Sequence, residues 1–333
     1  MARVRALLEA LSLVEKRERA RFGTIATNNF FLATVVLLGG AGVFLLLLGA
    51  LVVLFPLSAD PMKKVPPERL EQFPLTAADR RWLRILSPWL NPIMWLLAAL
   101  GLWSVRHVES ASLLGLLAVL FGVGFFAPQV AGQPGFLRWV PAFPGRMGLF
   151  VQRGIRETLV TLDFWMALLV AVSGTVYRFA VPNIPEEARM MMTLLVVLAL
   201  SSRGQSQFGL DSEAAIIRQR LMPLPGWVVL GAKNFAFLVV VLVLTLPMAP
   251  VTGLAAGLAA LAIGNYPAVL ERRPQTRWRF SAGAGIENGL VQVFALGATG
   301  AAAFRSGPVV LIPAALVCAS SIWWFGRKLD QSI

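Results

Sequence analysis

Glu186 and Glu187, with Arg189 two residues on, are the one adjacent carboxylate pair in this chain that could divide general-acid and general-base work between two groups. They follow Asn183 and Pro185, where acids complement the positive end of a starting helix, so their placement reads as a helix cap. The one histidine, His107, stands beside Arg106 and Glu109 without a cysteine or carboxylate cluster, and one imidazole is not a metal site. The one cysteine, Cys318, lies inside an apolar run; it has no disulfide partner in the chain and is expected as a packed small residue. Neither a GxxxxGK[ST] phosphate loop nor a GxSG nucleophile motif occurs, so ATP is not expected to be hydrolysed here through a P-loop. Four charges, Asp163, Arg178, Lys233 and Glu287, lie within a few residues of expected membrane interfaces, where snorkelling or capping explains them more simply than an ion path.

The elements that carry these residues are membrane helices. The chain is 57% hydrophobic and 14% charged, with a mean hydropathy of +0.71, which excludes an ordinary soluble domain of 333 residues. Its net charge of +13 reads as basic cytosolic loops against anionic lipid and not as a nucleic-acid surface. Apolar segments run over 88–105, 110–127, 158–181, 189–202, 227–249, 251–268, 287–303 and 308–325. A further stretch, 24–56, carries Gly39, Gly40 and Gly42 at its middle, where a tight reversal can form. Taking it as a hairpin puts every Lys and Arg except Arg106, Arg178, Arg189 and Arg305 on the inner side. The expected fold is an all-α polytopic protein of the cell membrane, with about ten spans and both termini cytosolic. Ahead of the first span, Val4, Leu7, Leu8, Leu11 and Val14 recur at helical spacing, which predicts an amphipathic interfacial helix over 1–23 and no cleavable signal peptide.

Two polar cytosolic segments stand out. The second, 203–226, contains a helix start at Asp211, Ser212 and Glu213, an amphipathic stretch to Met222 with Arg218 and Arg220 at its sides, and a stop at Pro223 and Pro225. About ten residues do not hold a helix alone, so this one needs a docking surface. The first, within 57–87, carries Arg69, Leu70 and Pro74, then a capping box at Thr76 and Asp79 followed by Arg80, which predicts a short helix to Leu86. In each half a basic helix, a hairpin, an Arg-Leu loop ending in Pro-Leu and another hairpin follow in order, a weak internal repeat. The domains are then 1–23, a four-span unit over 24–149 and a six-span unit over 150–333.

The run Phe208-Gly209-Leu210-Asp211, then Arg220-Leu221-Met222-Pro223-Leu224-Pro225, then Leu230-Gly231-Ala232-Lys233-Asn234 resembles permease subunits of bacterial ABC-2 type exporters. The likeness covers 150–325; the four N-terminal spans are not that family's usual plan. It implies a transport subunit that is not itself an enzyme, paired with a cytosolic P-loop ATPase that binds the ATP and magnesium, and with a second permease chain, the same or different. Carried over, Phe208, Asp211, Ser212, Glu213, Arg218, Arg220 and Pro223 would form or flank the helix that couples to the ATPase. Arg69, Leu70, Pro74, Thr76, Asp79 and Arg80 would form a second such segment. Two other classes stand beside it. Glu186 and Glu187 suggest an intramembrane protease, although Arg189 departs from the EExxxR spacing of one such family. A noncatalytic assembly or anchoring protein is the other.

Overall fold

A computed structural model describes residues 6–13, 73–86, 90, 139–141, 143–145, 147–180, 184–211, 224–273, 275, 280–281 and 283–331. Every regular element among them is a helix. Residues 6–13 are helical, within the expected amphipathic segment. Helix α1 is Ala77–Leu86, and it starts on the expected capping box: the Asp79 amide donates to Thr76 Oγ1 (3.2 Å) and the Thr76 amide to Asp79 Oδ2 (3.2 Å).

The remaining helices are α2 (Gly148–Leu159), α3 (Leu162–Ala180), α4 (Glu186–Gln205), α5 (Gly226–Thr245), α6 (Pro250–Leu270), α7 (Ile286–Ser306) and α8 (Leu311–Gln331). Four stretches are long and apolar enough to cross a membrane: Leu162–Phe179, Gly226–Thr245, Pro250–Leu270 and Ile286–Gln331. The last of these comprises α7, a 3-10 turn at Gly307–Val310, and α8. Gly307 takes a φ of +71° there, in the left-handed region that glycine enters without a Cβ penalty, and Pro308 follows. The two helices run antiparallel on α6, because Gln292 of α7 and Ser321 of α8 meet α6 at nearby carbonyls, those of Ala260 and Ala262. The helices thus alternate in direction from α3 to α8. The spans expected over 24–127 lie outside the described residues.

Small residues set the helix spacing. Gly226 and Gly326 pack backbone to backbone where α5 starts and α8 ends; a Cβ at Gly226 would come within 2.5 Å of the Gly326 carbonyl oxygen. The main core gathers Val151 and Ile155 of α2, Leu162 to Val170 of α3, Leu195 to Leu200 of α4, and Phe237, Val240 and Val241 of α5. Cys318 is buried with them, as expected. A smaller cluster at one end holds Phe208, Val229, Leu230, Ala268 and Val269, with Leu224, Phe325 and Leu329 against it. The outer sides of α7 and α8 are uncovered, with Phe294, Val309, Ile312, Leu316 and Val317 more than half exposed. Apolar surface of that extent suits hydrocarbon.

Candidate functional site

The end of the bundle that carries the small cluster also carries most of its charge. Arg153, Arg156, Arg203, Lys233, Arg272, Arg273, Arg327 and Lys328 stand there, and only Arg178, Arg189 and Arg305 stand near the opposite end of the same helices.

Lys233 is the hub. It lies on α5 two turns from Gly226, its side chain is 9% exposed, and it does not snorkel outward as its position near an interface suggested. Its Nζ stands 3.0 Å from Glu157 Oε2 on α2, 2.9 Å from Asp211 Oδ2 and 3.0 Å from the carbonyl of Gln207. The ammonium donates hydrogen bonds to Glu157 and to the Gln207 carbonyl, and meets Asp211 Oδ2 as an ion pair. The ring of Phe208 covers it, centroid 4.9 Å from Nζ, with Arg272 on the same ring at 5.7 Å.

Arg153 closes the cluster from the solvent side. Its Nε donates to Glu157 Oε1 (2.7 Å) and its Nη2 to Asp211 Oδ1 (2.6 Å), so it joins the same two carboxylates that Lys233 joins from within. The Asp211 side chain is fully buried between them. Burial alone would raise the Glu157 carboxyl, but Lys233 and then Arg203 outweigh it and hold the group below the usual carboxylate range. The helix α2 that supplies Arg153 and Glu157 reads in sequence as a basic interfacial helix. In the fold those side chains turn toward α5 and the loop after α4, because Gly154 lets α2 approach Ala236 of α5 closely.

The loop after α4, residues 206–211, is bound on its other side by Gln275. Arg203, in the last turn of α4, donates from Nη1 to the carbonyl of Ser206 (2.8 Å) and to Gln275 Oε1 (2.9 Å), capping its own helix end. Gln275 returns a bond from Nε2 to Ser206 Oγ (2.6 Å), and its amide donates to the Gly209 carbonyl (2.6 Å). Gly209 permits this approach, since a Cβ there would come 2.6 Å from the carbonyl oxygen of Arg273. Arg273 donates to the carbonyls of Gly283 and Ala284. The stretch 271–280 reads in sequence as a headgroup anchor; in the fold Arg272 lies on the Phe208 ring and Gln275 binds this loop, while Arg273 stays 44% exposed beside Glu271.

Two chains of buried amides carry the polar network into the bundle. Gln207 Nε2 donates to Asn234 Oδ1 (2.6 Å), Asn234 Nδ2 to Asn265 Oδ1 (3.0 Å), Asn265 Nδ2 to Ser321 Oγ (3.2 Å), and Ser321 Oγ to the Ala262 carbonyl (2.7 Å). Gln205 Nε2 donates to Gln292 Oε1 (2.7 Å) and its Oε1 accepts the Ala284 amide (2.7 Å), while Gln292 donates on to the Ala260 carbonyl. Between them they join α4, α5, α6, α7 and α8 at one level. Asp163 at the start of α3 accepts from the amide and hydroxyl of Ser281, so that helix is fixed to the same end. It stands in the first turn of its own helix, as expected, and its carboxylate ties that turn to Ser281.

The sequence candidates therefore separate. Phe208 and Asp211 are buried at the centre of this cluster, whereas Ser212, Glu213, Arg218, Arg220 and Pro223 lie outside the described residues, between Asp211 and Leu224. Of the first segment, Pro74, Thr76 and Asp79 lie at the start of α1, Arg69 and Leu70 fall outside the described residues, and the Arg80 side chain does too. Glu186 and Glu187 occupy the first turn of α4 at the opposite end, with Glu186 72% exposed and paired to Arg189 (2.7 Å). Reasoning from the sequence missed Glu157, Gln205, Gln207, Asn265, Gln292 and Ser321. Asn265 is the single amide of α6, and Gln292 lies one turn after Asn288 on the mostly apolar α7; amides so placed are the signal that could have found them. Among the described residues no group of His, Cys, Asp and Glu could hold a metal ion.

No family model, no curated protein and no solved structure matches this chain.

Proposed function

We propose that the chain is the permease subunit of an ATP-driven exporter in a cell membrane, with ATP hydrolysed by a separate cytosolic P-loop subunit. The observation that carries this reading is the anchoring of the polar segment 212–223 at both ends. Its first end leaves Asp211, held by Arg153 and Lys233. Its second enters Leu224, packed on the Phe208 cluster, and then α5, whose first amide is capped by Asp330 Oδ1 of α8 at 2.7 Å. Ends anchored this way carry a push that reaches Asp211 or Leu224 into α2, α4 and α5 as a rigid-body motion.

The polar end is the cytosolic one in this reading, since it gathers the basic residues. About ten spans, cytosolic termini and a second permease chain, identical or different, complete the assembly. Ser212, Glu213, Arg218 and Arg220 meet the ATPase, and Phe208 and Asp211 hold the root of the contact. The substrate is lipophilic or peptidic. The segment around Arg69, Leu70 and α1 is a second contact of the same kind.

Because the native chain has one cysteine, a Cys318→Ala background with Arg218→Cys gives a unique thiol for a photoactivated cross-linker. Irradiation in native membranes is expected to attach a protein with a P-loop, identified by mass spectrometry, and Arg220→Glu to reduce the yield. Cross-links to lipid alone, with an ATPase-free preparation that still transports, would remove the assignment.

A further inference from the structure

At the corner where α5 begins and α8 ends, Arg327 and Lys328 take no part in the bonds around Lys233. We propose that this corner is a seat for an acidic glycerophospholipid, with the phosphate held between Arg327 and Lys328. The Arg327 guanidinium lies over the Trp323 ring at 3.9 Å from its centroid, and the Lys328 ammonium over Trp324 at 5.8 Å. Neither cation pairs with a carboxylate among the described residues. The nearest acid in sequence, Asp330, gives its Oδ1 to the Gly226 amide instead. Two cations are thus held on aromatic faces with their charge uncompensated, and an anion is what such a pair lacks.

The surface leading to them is apolar, and its geometry identifies the anion as a lipid. At 100° per residue, Ile312, Leu316, Trp323 and Arg327 fall on one ridge of α8, and Val317, Trp324 and Lys328 on the adjoining one. Each ridge is an exposed apolar strip ending in an indole and then a cation, with Trp323 48% and Trp324 55% exposed. Trp227, 47% exposed, reaches the same corner from α5, where Gly326 packs on its backbone. Two strips side by side suit two acyl chains, the indoles suit the interfacial layer, and the cations suit the phosphate. A soluble anion would use the cations and leave the strips and indoles unused.

The full chain, purified into nanodiscs of phosphatidylcholine with a minor fraction of phosphatidylglycerol, provides the test through native mass spectrometry of retained lipid. Wild type is expected to retain phosphatidylglycerol selectively. Removing both cations in Arg327→Gln with Lys328→Gln should weaken it by about fivefold per cation, while Arg327→Lys with Lys328→Arg keeps the selectivity. Trp323→Leu with Trp324→Leu should lower retention with the charges intact. Thermal unfolding of each variant verifies folding, and the charge-conserving and indole variants decide the matter if the Gln pair does not fold. Equal retention of the two lipids by wild type, unchanged selectivity in the Gln pair, or unchanged retention in the Leu pair overturns the seat. Displacement by millimolar glycerol phosphate would show a plain phosphate site and overturn the lipid assignment.

Discussion

The two ends of the same helix bundle are built differently. At the polar end, charges from α2, α5 and the loop after α4 interlock: Lys233 and Arg153 share Glu157 and Asp211, and amide chains extend the tie to α6, α7 and α8. At the opposite end the ion pair among the described residues is local, Arg189 to Glu186 within one turn of α4. Among the described residues a tie between helices there is Arg178 Nη1 to the carbonyl of Pro247, beside the pliable side chains of Met192 and Met248 against Gly174. One end is locked by directional bonds and the other is closed by soft apolar packing. Under the proposed function, a push at the locked end would be carried whole to the softer one.

The comparison breaks first at Lys233. Lys233→Met leaves two buried carboxylates short of a partner and should cost about 3–5 kcal/mol, read as a lowered unfolding midpoint in detergent; a loss no larger than at an exposed pair would mean that the polar end is not locked. Next in size, Asn234→Leu strands the amides of Gln207 and Asn265 and should cost about 1–3 kcal/mol by the same measurement. Asp330→Ala removes the cap that α8 lends to α5 and should cost about 1 kcal/mol. Glu186→Gln at the soft end should cost only a few tenths of a kcal/mol, since the pair is exposed. Acid sharpens the contrast. The Glu157 carboxyl is depressed in the fold, so its stabilisation is complete above the ordinary value of about 4.5 and is lost as pH falls through the lower folded value. An acid titration should therefore loosen the polar end of wild type, and Glu157→Gln should flatten that part of the profile.

Much of this was legible in the residues. Apolar run lengths gave α3 and α5 through α8 to within a few residues, and Thr76 with Asp79 gave the start of α1, because both signals are local. The Lys233-Asn234 pair was legible as part of a motif but not as a hub. Its partners Glu157 and Asp211 are distant in sequence, and a lysine near a helix end looks the same whether it snorkels or is enclosed. Asn265 and Gln292 looked incidental for the same reason: an amide in an apolar helix announces that it has a partner without saying which. The place of Arg272 on the Phe208 ring was not legible, because a basic run after an apolar segment reads the same whether it meets a headgroup or an aromatic face.

The central claim is that a partner's ATP hydrolysis is coupled to this bundle through a segment rooted at Asp211. Its most direct test is the ATPase rate of material purified on the tagged chain in lipid, for wild type, Arg220→Glu and Lys233→Met, with Glu186→Gln as the soft-end control. The account predicts vanadate-sensitive hydrolysis with wild type and Glu186→Gln, its loss with the partner in Arg220→Glu, and partner bound but hydrolysis no longer responsive to the permease in Lys233→Met. Wild-type material without a P-loop subunit, or hydrolysis identical in all four proteins, would contradict it.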